Sequence, residues 1–124
     1  MKLRINKQSI RLRLSQHDVE LLRANNTISE SLICGMKEEN LFIYKLLLVA
    51  EGFSEVKVTQ NKINIIISKN EIKDWLINDE LVSFERSIDT SATPLSVLIE
   101  RDFKCLTPRS ENEEGLFGHR NKEC

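Results

Sequence analysis

The chain is 124 residues long, 40% hydrophobic and 30% charged, the balance of a globular protein of single-domain size. That balance excludes whole-chain disorder and supplies a core without disulfide staples. A formal net charge of −1 and a pI near 6.1 give no bulk attraction to nucleic acid or to an anionic membrane, so neither is expected as a partner.

Met1-Lys2-Leu3-Arg4 alternates from the first residue and leads into no apolar signal core. Leu3 to Ile5 and Ile10 to Leu14 both alternate with period two across the polar loop Asn6 to Ser9, which predicts a β-hairpin. Ser15 with Asp18 three residues later is a capping box that uses Asp in place of Glu or Gln, and the helix it opens stops at Asn25-Asn26. Thr27 to Cys34 reads as a strand, then a turn at Gly35 and Lys37 to Asn40. Leu41 to Val49 follows as a strand whose unbroken apolar run predicts burial on both faces or a central place in the sheet. The longest apolar run, Leu41 to Ala50, carries Lys45 and is too short to span a bilayer.

The order then recurs. Glu55 to Thr59 and Lys62 to Ile67 pair across Gln60-Asn61, and Ser68 with Glu71 predicts a second capping box. Ile72, Trp75 and Leu76 form the inward face of a helix that ends at Asn78-Asp79; Trp75 is read as core rather than as a stacking platform. Strands are predicted at Glu80 to Ser87 and at Leu95 to Phe103. At an offset of 53 residues Ile10 falls on Ile63, Ser15 on Ser68, Asp18 on Glu71, Leu22 on Trp75 and Ile28 on Leu81. The expected fold is therefore α+β: a duplicated β-β-α-β-β unit forming an eight-stranded, mainly antiparallel barrel or strongly curved sheet with two helices. Residues 1–106 form the single domain, with pseudo-repeats at 2–50 and 55–103. Residues 107–124 are polar and read as a flexible tail in which Leu116-Phe117 is the one apolar pair.

Arg11 and Arg13 share one strand face, with Ile10, Leu12 and Leu14 on the other. Two guanidiniums about 6.8 Å apart along a strand can clamp a phosphate or carboxylate, whereas a solvated outer face is the plainer reading of the same pattern. Their second-half equivalents are Asn64 and Ile66, so the basic pair belongs to one half only. Glu100 and Asp102 share a face of the last strand, and a closed barrel would place them with Arg11 and Arg13 in its interior. Leu98 and Arg101 break that strand's alternation. His17 is read as an exposed residue of the first helical turn. No Gly-rich phosphate loop and no Ser-His-Asp or Cys-His set occurs. Cys34, Cys105 and Cys124 form no C-x-x-C pair, which predicts free thiols in a reducing, cytoplasmic setting. Cys105, His119 and Cys124 match no standard zinc spacing, so no metal and no cofactor is assigned.

SIRLRLSQHDVELL and LIERDFKCLTPR resemble a family of short, uncharacterised bacterial proteins. That family opens K-x-R-I-x-x-N-S-I-R-L-R-L and closes E-K-D-F-x-C-L before an acidic tail. The matching residues are Lys2, Arg4, Ile5, Ser9 to Leu14, Glu100, Asp102, Phe103, Cys105 and Leu106; Gln8 replaces Asn and Arg101 replaces Lys. The resemblance implies no activity. A more distant likeness is to the CYTH-like triphosphate-tunnel phosphatases, which implies a barrel from a duplicated unit. Their opening strand holds a divalent metal on alternating glutamates, and here Lys2, Arg4, Arg11 and Arg13 stand on the corresponding kind of strand.

The leading expectation is a non-enzymatic barrel, monomeric or homodimeric, that binds a small anionic ligand or a partner through Arg11 and Arg13. The alternative is a metal-dependent tunnel-type phosphohydrolase served by Glu100 and Asp102, with Glu30 or Glu85. A third reading is a structural protein that dimerises through a sheet edge.

Overall fold

Period-two alternation in the first residues builds a hairpin, because it lets one strand face bury apolar side chains while the other meets water. In the computed structural model, which describes residues 1–103, β1 (Lys2–Asn6) and β2 (Ser9–Leu14) pair antiparallel, with Leu3 opposite Leu12 and Ile5 opposite Ile10. Residues 104–124 lie outside the described residues, and with them Cys105, His119, Cys124 and the Leu116-Phe117 pair. The chain continues as α1 (Gln16–Asn25), β3 (Thr27–Ile33), β4 (Leu41–Val49), β5 (Glu55–Thr59), β6 (Lys62–Ser68), α2 (Lys69–Ile77), β7 (Ser83–Ile88) and β8 (Leu95–Arg101).

The first helix starts where its capping box predicts. Ser15 Oγ accepts from the Asp18 amide at 3.1 Å and Asp18 Oδ2 accepts from the Ser15 amide at 2.9 Å. It stops at Asn26, which takes the left-handed conformation at φ 60° and donates its N–H to the Leu22 carbonyl. The second box does not form. Ser68 makes no side-chain cap; Ser54 Oγ accepts from the Ser68 amide instead and donates to Glu71. The Glu71 side chain therefore meets the cap amide only through the Ser54 hydroxyl, and also accepts from Arg86.

Among the described residues eight strands and two helices are present as expected, but the strands do not close into a barrel. They form two four-stranded sheets, β1-β2-β8-β7 and β3-β4-β6-β5. The four hairpins are antiparallel, and each sheet is completed by a parallel seam, β2 with β8 and β4 with β6. The helices explain this. Each follows a strand of one sheet and delivers the chain to the other, α1 from β2 to β3 and α2 from β6 to β7. The long connections that parallel pairs require are residues 50–61, including β5, between β4 and β6, and the whole second sheet with both helices between β2 and β8.

The two sheets repeat one another in register. Lys2 faces Arg13 as Glu55 faces Ile66, and Leu12 faces Ile99 as Ile65 faces Leu46. Past the helices the correspondence shifts. Asn26 alone separates α1 from β3, whereas Asn78 to Val82 separate α2 from β7. Ile28, opposite Leu46, therefore corresponds to Phe84, opposite Ile99, and not to Leu81. For the same reason β7 begins later than the sequence pattern suggests.

The inward side chains of both sheets and both helices form one cluster. Leu12, Leu14, Leu22, Leu46, Ile65, Ile67, Ile72, Val97 and Ile99 are all fully buried, and Trp75 is core as predicted, its Nε1 donating to the Val82 carbonyl. β4 is central, between β3 and β6. Its outer residues Leu41, Ile43, Leu47 and Val49 are only half-buried, so its apolar run reflects a central place in the sheet rather than full burial on both faces. Among the described residues no helix is long and apolar enough to cross a membrane.

Leu12 and Ile65 hold matching positions in the two seams at zero exposure. Leu12→Ala and Ile65→Ala are each expected to lower unfolding free energy by about 2–5 kcal/mol, measured by chemical denaturation. A cost confined to one of the two would show that the seams are not equivalent in the core.

Candidate functional site

The outer face of the first sheet gathers the predicted site residues. Cross-strand register sets Lys2 beside Arg13 and Arg13 beside Glu100 in one row, and Arg4 beside Arg11 and Arg11 beside Leu98 in the next. The inner face of these strands is core, so the charged side chains stand on the opposite, solvent side. The four candidates thus do not line a barrel interior: the sheet stays open and its apolar residues fill the inside.

Arg13 Nε donates to Glu100 Oε1 at 2.7 Å, and Arg11 Nε lies 3.6 Å from the same oxygen. Asp102 is drawn elsewhere, accepting from Lys2 Nζ at 2.7 Å, while its amide donates to the Leu14 carbonyl. Glu100 is only 17% exposed and its pairing with Arg13 is part-buried, so this ion pair carries more weight than a wholly solvated one. Arg4 makes no ion pair among the described residues. A hollow of about 320 Å³ lies between Arg4, Asn6, Ser9 and Arg11, and a second of about 300 Å³ between Lys2, Leu3, Arg4, Arg11 and Arg13.

The corresponding face of the second sheet differs. Asn64 and Ile66 replace the arginines, as the sequence indicates, and the edge strand carries Glu55 and Lys57, paired at 3.2 Å.

Two polar clusters that sequence patterns missed lie at the helical end. Arg101 breaks the alternation of β8 because its side chain turns over Trp75, 4.2 Å from the ring centroid. Arg101 donates to the Trp75 and Leu81 carbonyls, and Arg23 to the Leu76 carbonyl, so two guanidiniums meet the C-terminal end of α2 where positive charge is favoured. Arg23, with Arg101 behind it, holds the Asp79 carboxyl below its usual range. A cleft of about 380 Å³ opens beside them, with Leu14, Val19 and Phe103 among its walls.

The second cluster surrounds the amino terminus. The Met1 ammonium lies 2.8 Å from Asp18 Oδ2 and 3.1 Å from Glu30 Oε1, and Tyr44 Oη donates to the Met1 carbonyl at 2.8 Å. Burial works against charge on the ammonium, but the hydrogen bonds to Asp18 and Glu30 outweigh it and raise its pKa. Burial likewise opposes the Asp18 carboxylate, and its bonds to the ammonium and to Ser15 win, lowering its pKa. Tyr44 is raised, first by burial and then by the Glu30 and Asp18 charges.

The carboxylates of the phosphohydrolase reading are dispersed. Glu100 is on Arg13, Asp102 on Lys2, Glu30 on the amino terminus, and Glu85 beside Ser96. Among the described residues no three His, Cys, Asp or Glu side chains come together as metal ligands. Cys34 is exposed and free, and His17 is exposed.

This α+β body with a charged outer sheet face is matched by one family model over residues 1–121, described as a family of unknown function (DUF7009). The chain belongs to that family. Comparison with curated proteins gives no match.

Because Asp18 has a lowered pKa, its contribution to stability is full above about pH 4 and is lost as pH falls through the folded-state value. The raised ammonium contributes fully below about pH 8 and loses that contribution as pH rises through its folded-state value. Asp18→Asn is expected to cost about 1–2 kcal/mol near neutral pH and to flatten both limbs of a stability profile measured by urea denaturation. An unchanged profile would show that the cluster contributes nothing.

Proposed function

We propose that the outer face of the first sheet is an anion-binding surface and that the protein acts by binding rather than by catalysis. The observation that carries this reading is the placement of four cations with too few carboxylates among the described residues to match them. Lys2 stands opposite Arg13 and Arg4 opposite Arg11, like charges across a strand pair that repel one another. Glu100 serves Arg13 first and Arg11 more distantly, which leaves Arg4 and the nearer side of Arg11 for an incoming anion. Asn6 and Ser9 share that hollow and supply neutral donors.

An anion there meets guanidiniums able to donate two bonds each. Glu100 repels it from the Arg13 end, so the bound group sits towards Arg4 and Ser9. The matched registers of the two sheets support a duplicated β-β-α-β-β unit, and the confinement of the basic residues to one half favours a single asymmetric site over two equivalent ones. The dispersal of Glu30, Glu85, Glu100 and Asp102 weighs against the hydrolase alternative.

Phosphate, pyrophosphate and citrate are the probes of choice. A ligand at about a hundred times its Kd adds about 2.7 kcal/mol to stability, readable as a rise in Tm. The wild type is expected to respond to at least one of the three, and Arg4→Ala with Arg11→Ala to lose the response while keeping its own fold. Arg13 is left in place so that Glu100 keeps its partner. A wild type indifferent to all three anions would sink the reading.

A further inference from the structure

We propose that the free edge of β1 docks an extended acidic peptide of a protein partner, which joins the first sheet as a fifth strand with alternating acidic and apolar residues. This rests on the anion-binding reading of the same face and names its occupant.

β1 is the last strand in the order β1-β2-β8-β7, so among the described residues one side of its backbone has no neighbouring strand. Such an edge offers unpaired N–H and C=O groups to any extended chain, and alternate side chains then decide which chain fits. On β1 the alternation is sharply two-sided. Lys2 and Arg4 point outward with Arg11 and Arg13 behind them. Leu3 and Ile5 lie on the core face, where Ile5 is 58% exposed although its partner Ile10 is buried. An added strand places its side chains about 4.5–5.5 Å from those of β1 on the same face. A carboxylate on its outer side would meet Arg4, a second would share the Lys2 ammonium with Asp102, and apolar residues on its inner side would cover Ile5.

The other three edges are differently occupied. β5 pairs its own Glu55 with Lys57, β7 commits Arg86 to Glu71, and β3 turns Ser29 and Ser31 outward. A second copy pairing through β1 would set Lys2 and Arg4 against their own kind, which is the charge pattern that keeps edges apart. The chain's own Glu111-Asn112-Glu113 has carboxylates at the required spacing, but Asn112 stands where the strand needs an apolar residue.

The test titrates acetyl-Glu-Val-Glu-Val-Glu-amide into the full chain, beside the same peptide with alternate backbone nitrogens methylated. The plain peptide is expected to bind and the methylated one to bind about tenfold more weakly or worse, because it keeps the charges and loses the strand pairing. Arg4→Glu, an exposed change whose fold is checked by circular dichroism, should lose about tenfold for the acidic peptide and gain affinity for its Lys-Val counterpart. Equal binding of both acidic peptides overturns strand addition and leaves the anion surface standing. Backbone-dependent binding without any response to pyrophosphate keeps the strand and removes the small-anion site. Binding that appears only after Glu111→Gln with Glu113→Gln overturns the partner, since the chain then fills its own edge. No binding in any form overturns the proposal.

Discussion

The two parallel seams, β2 with β8 and β4 with β6, are the constraint on which the remaining structure depends. Each hairpin carries one edge that would otherwise meet water, and no hairpin can cover it with the strands next to it in sequence. Parallel pairing needs a long crossover. Residues 50–61, with β5 among them, supply it between β4 and β6, and the whole second sheet with both helices lies between β2 and β8. Because each helix changes sheets, the halves of the chain must exchange hairpins before either sheet is complete. The centre of each seam is dry: Leu12, Ile99, Ile65 and Leu46 are all at zero exposure. The charged face is a by-product of the same exchange. Arg13 meets Glu100, and Lys2 meets Asp102, only because the first and last strands belong to one sheet.

A second consequence concerns the polar ties at the helix starts. In the first half the Met1 ammonium, Asp18 and Glu30 join the start of β1, α1 and β3. In the second half Ser54, Glu71 and Arg86 join the start of β5, α2 and β7. Position for position these are the same tie with the charges redistributed. The cation arrives from the amino terminus in one half and from the third strand in the other. Each version satisfies its partly buried carboxylate, which is the requirement physics imposes; the identity of the cation is free.

The alternation of Leu3 to Leu14 and the stops at Asn25-Asn26 made most elements legible in the sequence. The apolar face of β2 and the sharing of its other face by Arg11 and Arg13 were equally plain. Closure was not. A hairpin reads the same whether its open edge joins a barrel or a parallel seam, because both bury Leu12 and Ile65 alike. Ser68 with Glu71 looked like a better cap than Ser15 with Asp18, yet only the latter formed, since Ser54 intervenes from outside the motif. Arg101 looked like an error in a strand pattern because its ring and carbonyl partners, Trp75 and Leu81, lie far away in sequence. Of the candidate site, the residues were readable and their side of the sheet was not.

The unequal chain paths of the two sheets also order events in time. Every strand of the second sheet comes from one uninterrupted stretch, Thr27 to Ser68, so it can pair as soon as that stretch has left the ribosome. The first sheet is split between the two ends of the chain, and its seam closes across 87 residues at Arg13 and Glu100. Contacts that distant are slow to form. Until β8 arrives, β2 waits with an open edge and an uncovered apolar face, already beside a finished neighbour. Its other face carries Arg11 and Arg13, and like charges there oppose pairing with the same strand of another copy during that interval.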